Sequence, residues 1–323
     1  MKKLALLILT FILSLFAVGC EESADNISVY APDGAPALSL VKAMDNLEGY
    51  DFNIVGADVI QTVVTGDKKA DICILPINLA SKILNGKGDY KMLGVVTHGN
   101  FYLLSKSTKE ITQETASDLI GKTVGVVQLN SIAGLTLKAS LKALNIPFNE
   151  LTGGAEILSN AVNLLPITAT EVGTIEVDYY LAPSPLADVR AKALNLNFVG
   201  SLKNLYGESG FPQAVIVCKS ELLNTNLTAV KKLIDEIKTV NSYLENRQIL
   251  DICATINDNL ERGLTPQFNK NNLTLQAIER SSINFISIKD HRAVVDEFIT
   301  KIKGVALNAV NDFLSDFYYL FDL

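Results

Sequence analysis

The stretch from Tyr30 to Met44 constrains the fold more than any other, because it carries a strand end, a tight turn and a helix start within fifteen residues. Ile27 to Tyr30 is a short apolar, β-branched run, and Pro32-Asp33-Gly34 is turn chemistry: proline fixes φ, while Asp and Gly tolerate a sharp reversal. Pro36 suits the first turn of a helix, where its missing N–H is not needed. Leu38, Val41 and Leu47, with Leu40 and Met44, then give a helix-spaced apolar face. The backbone N–H groups around Ala35 to Leu38 are thereby expected at a strand end, the place in an open α/β sheet where polar or anionic groups are received. An ordinary βα turn reads the same way.

The amino terminus is a separate matter. Lys2 and Lys3 precede an apolar run from Leu4 to Val18 that is shorter than the ~20 residues a membrane-spanning helix needs. It ends at Gly19 and Cys20, before the polar stretch Glu21 to Asn26. Residues 1–19 therefore read as a secretory signal peptide. Removing Lys2 and Lys3 takes the formal net charge from -7 to -9. An acidic chain of this kind has no nucleic-acid footprint. With 48% hydrophobic and 20% charged residues, 323 residues suffice for roughly two packed domains. Cys73 and Cys218 lie in apolar strand-like runs and are expected to be buried, inert thiols, with Cys253 as an odd third cysteine.

Along the chain, Phe52–Val55 and Asp71–Leu75 read as strands, the second so continuously apolar that it must be covered on both faces. Tyr90–Thr97 and Phe101–Ser105 are two more, joined by His98-Gly99-Asn100. A second α/β unit starts at Thr123–Val127 and is followed by a helix through Leu135, Leu137, Leu141 and Leu144. Ala155–Leu165 reads as a helix, Ile175–Leu181 and Ala214–Val217 as strands. From Asn224 the pattern is mostly helical, with helices at 227–246, 249–262, 273–281 and 292–303. The aromatic ending, with Phe317, Tyr318, Tyr319 and Phe321, is expected to dock on a core.

Three segments taken in order resemble one family. They are Ala31 to Ala37, Ala70 to Ala80 (Ala-Asp-Ile-Cys-Ile-Leu-Pro-Ile-Asn-Leu-Ala) and Asp118 to Gly125 (Asp-Leu-Ile-Gly-Lys-Thr-Val-Gly), behind a signal peptide. The chain is similar to substrate-binding lipoproteins of ABC importers, in the nitrate, sulfonate, bicarbonate and thiamine-pyrimidine-precursor group. The resemblance implies the type II periplasmic-binding-protein fold: α/β, two-lobed, each lobe an α/β sheet, joined by two crossing segments. Crossings near Leu103–Ser107 and Pro212–Val217 would give 27–104 and 214–323 as lobe 1 and 105–213 as lobe 2, after a tether at 20–26. It also implies lipidation of Cys20, where Ala17 departs from the usual leucine. The implied protein is a monomer, extracytoplasmic and anchored by lipid to the bacterial cell membrane. Its partners would be a small-molecule ligand and an ABC permease with its ATPase, with no cofactor and no metal.

That layout draws scattered loops into one expected ligand site: Ala35, Pro36 and Ala37, then Asn78, then His98, Gly99 and Asn100, then Asn130 and Ser131, then Pro183 and Ser184. Each of the polar ones can equally cap a helix or close a turn. Asp33 reads as a turn carboxylate, and Tyr30, Tyr180 and Phe211 as core aromatics. All five arginines lie outside these loops, and the loops hold no lysine, so a strongly anionic ligand clamped by Arg is not expected. The expected solute is small and organic or monoanionic, a monoanion held by N–H groups at helix N-termini or a neutral heterocycle. With two histidines, His98 and His291, and no nucleophile elbow, Walker loop or metalloprotease helix, the chain is not expected to be an enzyme. The alternative is a small-molecule enzyme on the same two-lobed fold, like thiamine-pyrimidine synthases, which act in the cytoplasm and need no export signal.

Overall fold

The computed structural model describes residues 26–67, 69–207 and 210–323. The signal segment and Cys20 lie outside the described residues, and the lipid-anchor expectation with them. Among the described residues no helix is long and apolar enough to cross a membrane.

The strands are β1 (Ile27–Pro32), β2 (Tyr50–Val55), β3 (Ile72–Pro76), β4 (Tyr90–Thr97), β5 (Phe101–Ser105), β6 (Thr123–Val127), β7 (Phe148–Glu150), β8 (Val162–Ile167), β9 (Tyr179–Pro183), β10 (Asn197–Ser201), β11 (Ala214–Lys219) and β12 (Ile283–Ser287). Among the described residues they form two six-stranded sheets, ordered β12-β4-β11-β3-β1-β2 and β10-β5-β9-β6-β8-β7. In the first, β1 pairs in parallel with β2 and β3, and β11 runs antiparallel between β3 and β4. Ile72, Cys73, Ile74 and Leu75 of β3 are all fully buried, as a strand covered on both faces requires. In the second, β6 is parallel to β8 and β9, while β5 runs antiparallel to β9 and β10. The two-lobed α/β architecture is thus present.

The first crossing differs from expectation. β4 belongs to the first sheet and β5 to the second, so the chain changes sheets within His98–Asn100 rather than at Leu103–Ser107, and residues 101–104 go with the second lobe. Two consecutive apolar strands look alike in sequence whether or not they share a sheet; only the pairing of Phe101–Leu104 with Tyr180–Pro183 decides it. The return falls just before β11, where Gln213 N–H donates to Thr97 O at 3.0 Å.

Four further segments differ from expectation. Ala155–Leu165 is not a helix: Asn163–Ile167 pairs in parallel with β6, and Val162–Leu164 with β7 on the other side. The loop before it is held by buried Asn163, whose Oδ1 accepts from Leu158 N–H (2.8 Å) and whose Nδ2 donates to Leu158 O (2.9 Å). The helix expected after β1 breaks into Ala35–Leu38 and Val41–Asn46, and the long one at 227–246 into Leu227–Lys238 and Val240–Asn246. Finally, Ile283–Ser287 is an edge strand on β4, inside what reads as helical territory.

The carboxy-terminal helices cover the first sheet, where Leu233, Ile234 and Ile237 pack with Val41 and Ile54 in one core. The aromatic tail docks in part: Phe317 and Tyr318 are buried and Tyr319 N–H donates to Met92 O at 3.0 Å, but Phe321, expected to dock with them, is 71% exposed. Cys73, Cys218 and Cys253 are free and buried, and burial pushes each thiol pKa up. Where the lobes join, Phe211 stacks between Phe101 (6.3 Å between ring centres) and Phe298 (5.7 Å). Phe298 belongs to the long helix Ile288–Lys303, so one apolar core runs from lobe to lobe through the joint.

Candidate functional site

The strand ends of both sheets meet around one cavity of about 160 Å³. Asp33 and Pro36 after β1, Ala57 after β2 and Pro76 at the end of β3 form the first wall. Val127, Gln128 and Ser131 around the end of β6, Ala169 after β8 and Pro183 at the end of β9 form the other. Asn100 and Gln213, one on each crossing, close the back, and Gln267 enters from the loop before helix Leu275–Arg280. Each of the five loops singled out in the sequence thus supplies at least one wall residue.

Of the expected site residues, Pro36, Asn100, Ser131 and Pro183 line this cavity. Ala35, Ala37, Asn78, His98, Gly99, Asn130 and Ser184 are not in its wall. Ala35 and Ala37 turn inward into the core. The Asn78 carbonyl accepts from Ser81 Oγ (2.9 Å), and Asn130 is exposed. Gly99 has φ 76°, and a Cβ there would stand 3.0 Å from the Phe211 ring, so both conformation and space call for glycine. His98 Nε2 lies 2.9 Å from Asn284 O, and its ring packs edge-on against His291 at 5.4 Å. Burial first, then the His291 ring, lowers the His98 pKa to about 4.

Asn100 and Ser184 are spent largely on the joint. Asn100 Nδ2 donates to Ser184 O (2.7 Å), its Oδ1 accepts from Gln213 Nε2 (2.5 Å), and its N–H donates to Gln213 Oε1 (3.0 Å). Ser184 Oγ donates to Asp188 Oδ2 (2.5 Å), while Arg280 Nη1 donates to Asp188 Oδ1 (2.6 Å). Arg280 also lies over the Phe198 ring at 3.9 Å. Since Arg280 precedes β12 of the first sheet and Asp188 follows β9 of the second, this contact ties the lobes together.

The two walls differ electrostatically. Among the described residues, Asp33 is the one ionisable group in the lining. Its Oδ1 accepts from Gly34 N–H (2.8 Å) and its Oδ2 from Gln267 N–H (2.6 Å). Burial raises its pKa, and those two N–H groups oppose the rise. Opposite it begins the twelve-residue helix Ile132–Ala143. Its N-cap Ser131 makes no side-chain capping bond, and Ile132 and Ala133 of its first turn are wall residues. First-turn N–H groups have no intrahelical carbonyl to donate to, so this wall offers hydrogen-bond donors. The approach is tight: a Cβ on Gly134 would sit 1.9 Å from Leu129 O.

Gln213 and Gln267 escaped the sequence reading, and Asp33 was read as a turn residue only. Gln213 sits directly before a recognisable strand, a position that marks a crossing only once the sheets are known. Gln267 arrives from more than 230 residues away, and no pattern around it signals the contact.

No protein-family model and no curated protein matches the sequence. Solved structures do match. An ABC transporter structure from Parabacteroides distasonis aligns at TM-score 0.69 and 15% identity, covering 91% of this chain and 99% of that one. The periplasmic aliphatic sulphonate binding protein SsuA from Escherichia coli aligns at TM-score 0.61 and 12% identity, covering 88% of both chains. A point mutant of DSZB in complex with biphenyl-2-sulfinic acid aligns at TM-score 0.56 and 12% identity, covering 90% of this chain and 98% of that one. At these identities the likeness is one of fold: the chain has the two-lobed fold of ABC-importer substrate-binding structures.

Proposed function

We propose that this protein is the extracytoplasmic solute-binding component of an ABC importer, capturing a small molecule between its lobes and presenting it to a permease driven by an ATPase. The observation that carries the reading is the convergence of strand-end loops from both sheets on one cavity, with a helix N-terminus opening into it. The lobes that hold the solute between them are 27–97 with 214–323, and 101–206. A volume near 160 Å³ is close to the ~150 Å³ of an engineered cavity that holds benzene, so the solute is about the size of one six-membered ring with a few substituent atoms at its open end. Cys20 bears the lipid that keeps the monomer at the bacterial cell membrane, since small residues precede it and a polar tether follows.

A bound solute stabilises the native state by mass action, about 2.7 kcal/mol when free ligand is 100 times its dissociation constant. Native mass spectrometry of the purified mature protein is expected to show a carried-over small molecule, and a thermal-shift screen a rise for one chemical class. Ala57→Phe, on the exposed rim of the cavity, is expected to abolish that rise. A ligand whose stabilisation survives this blocking substitution sits elsewhere. Cys20→Ser is expected to lose metabolic fatty-acid labelling; a labelled variant sinks the anchor. The enzyme alternative would show itself as turnover of the bound compound with time. In its disfavour, Cys73, Cys218 and Cys253 all stand outside the cavity wall, and the ionisable wall residue, Asp33, is held by two backbone N–H groups.

A further inference from the structure

The geometry points to a small organic monocation bearing N–H donors, of the amidinium or primary ammonium type, as the ligand class, with Asp33 as the residue that selects it. The inference rests on the solute-binding reading and specifies it. Its first ground is charge. Among the described residues, the wall contains one carboxylate and no lysine, arginine or histidine. An oxyanion would have to sit beside Asp33 in a confined space, with no cationic side chain of the wall to offset the repulsion. A monocation leaves the pair neutral.

The second ground is hydrogen-bond capacity. An ionised carboxylate accepts at about four lone-pair positions. Asp33 uses one on each oxygen, for Gly34 and Gln267 N–H, which leaves one on each for a ligand. Two N–H groups of one planar head match two oxygens of one carboxylate. Gln267 Nε2 donates to Asp33 O at 3.1 Å, and the Gln267 side chain packs where a Cβ of Gly34 would stand. The carboxylate is therefore fixed in place before any ligand arrives, and less freedom is lost on binding. Burial of the acid, which raises its pKa, makes a cationic partner more valuable.

The third ground is the rest of the wall. Pro36, Pro76, Pro183, Phe101 and Leu186 surround the polar groups with rigid apolar surface, suited to a flat or compact body. The donor-rich opposite wall at Ser131 to Ala133 receives an acceptor atom at the far end of the ligand. Were that wall to dominate, the site would instead prefer an anion, and the two outcomes are opposite in sign.

The test uses benzamidine, benzamide and benzoate, which share a ring and nine non-hydrogen atoms and differ in charge, with methanesulfonate as a free oxyanion. Calorimetric titration of the mature protein is expected to rank benzamidine tightest and benzoate weakest, with a gap of about tenfold or more. Asp33→Asn is expected to bring benzamidine and benzamide to within about twofold of each other. Should that variant fail to fold, the wild-type ranking still decides. Benzoate or benzamide binding as tightly as benzamidine overturns the proposal, as does a ranking unchanged in Asp33→Asn. Methanesulfonate binding that is lost in Ala57→Phe, with no benzamidine binding, overturns the ligand class and leaves the solute-binding reading standing. Benzamidine binding that survives Ala57→Phe overturns the assignment to this cavity.

Discussion

The loops that follow β1 and β6 occupy equivalent places in the two sheets and are built to opposite ends. After β1 the chain turns through Gly34, at φ 105°, and makes a helix of only four residues, so its polar contribution is the Asp33 carboxyl held by backbone N–H groups. After β6 it runs through Gln128, at φ 57°, into a twelve-residue helix with an uncapped first turn. One wall accepts hydrogen bonds and the other donates them. A shared topology fixes where loops converge; the length of the helix that follows and the residue at the turn fix what they offer.

The largest effect is expected from breaking the second loop. Gly134→Val places side-chain atoms where Leu129 O already stands, and is expected to cost ~4 kcal/mol or to prevent folding, read by chemical denaturation. The matching Gly34→Ala meets only the Gln267 side chain at 3.2 Å, with a strained φ, and is expected to cost about 2 kcal/mol. Equal costs would show that the loops are alike after all.

Next in size is the joint between the two regions. Asn100→Ala leaves Ser184 O and Gln213 Nε2 without their buried partners, while the backbone N–H at position 100 keeps its bond to Gln213 Oε1, and the change is expected to cost about 2 kcal/mol. A loss below ~1 kcal/mol would mean that water replaces those bonds. Acid acts on the same joint through His98. Its pKa is near 4 in the folded protein against 6.5 for an ordinary histidine, so the unfolded chain binds the proton first as pH falls. Stability from this group is whole above pH 6.5, declines between 6.5 and 4, and is level below. The expected loss is about 3 kcal/mol, and His98→Gln should flatten that part of the pH profile.

The smallest effect sharpens the comparison most. An N-cap Ser→Ala change ordinarily costs ~1 kcal/mol, but Ser131 makes no capping bond, so Ser131→Ala is expected to cost under ~0.5 kcal/mol while weakening ligand binding. Thr168, whose N–H and Oγ1 both donate to Glu171 Oε2, has a partner to lose, and Thr168→Ala is expected to show the ordinary cost.

Much of this was legible in the sequence, for identifiable reasons. β1, β3, β4, β6 and β11 are apolar enough to be read directly, and the turn residues at Pro32–Gly34 and Pro183–Pro185 mark strand ends that do meet at the cavity. What escaped depends on pairing. Nothing local distinguishes Phe101–Ser105 as a strand of the other sheet, and Val162–Ile167 carries enough leucine to imitate a helix. Gln213 and Gln267 become wall residues only through contacts distant in sequence. Asn100 lines the cavity and Ser184 follows the wall residue Pro183, but the hydrogen bonds of both hold the crossing together, an outcome that spacing alone leaves open.

The placement of β11 also sets an order of assembly. The second sheet is complete once residues 101–201 are available, because all of its strands come from that contiguous span. The first sheet is not: β3 and β4 stay apart until Ala214–Lys219 arrives to lie between them. A chain emerging from its amino terminus therefore carries the fully apolar edge of Ile72–Leu75 uncovered while the other lobe folds, with an open strand edge that invites pairing with a neighbouring chain. The lobe that begins first is finished last, and in crowded conditions its exposure time is set by how quickly the intervening hundred or so residues collapse.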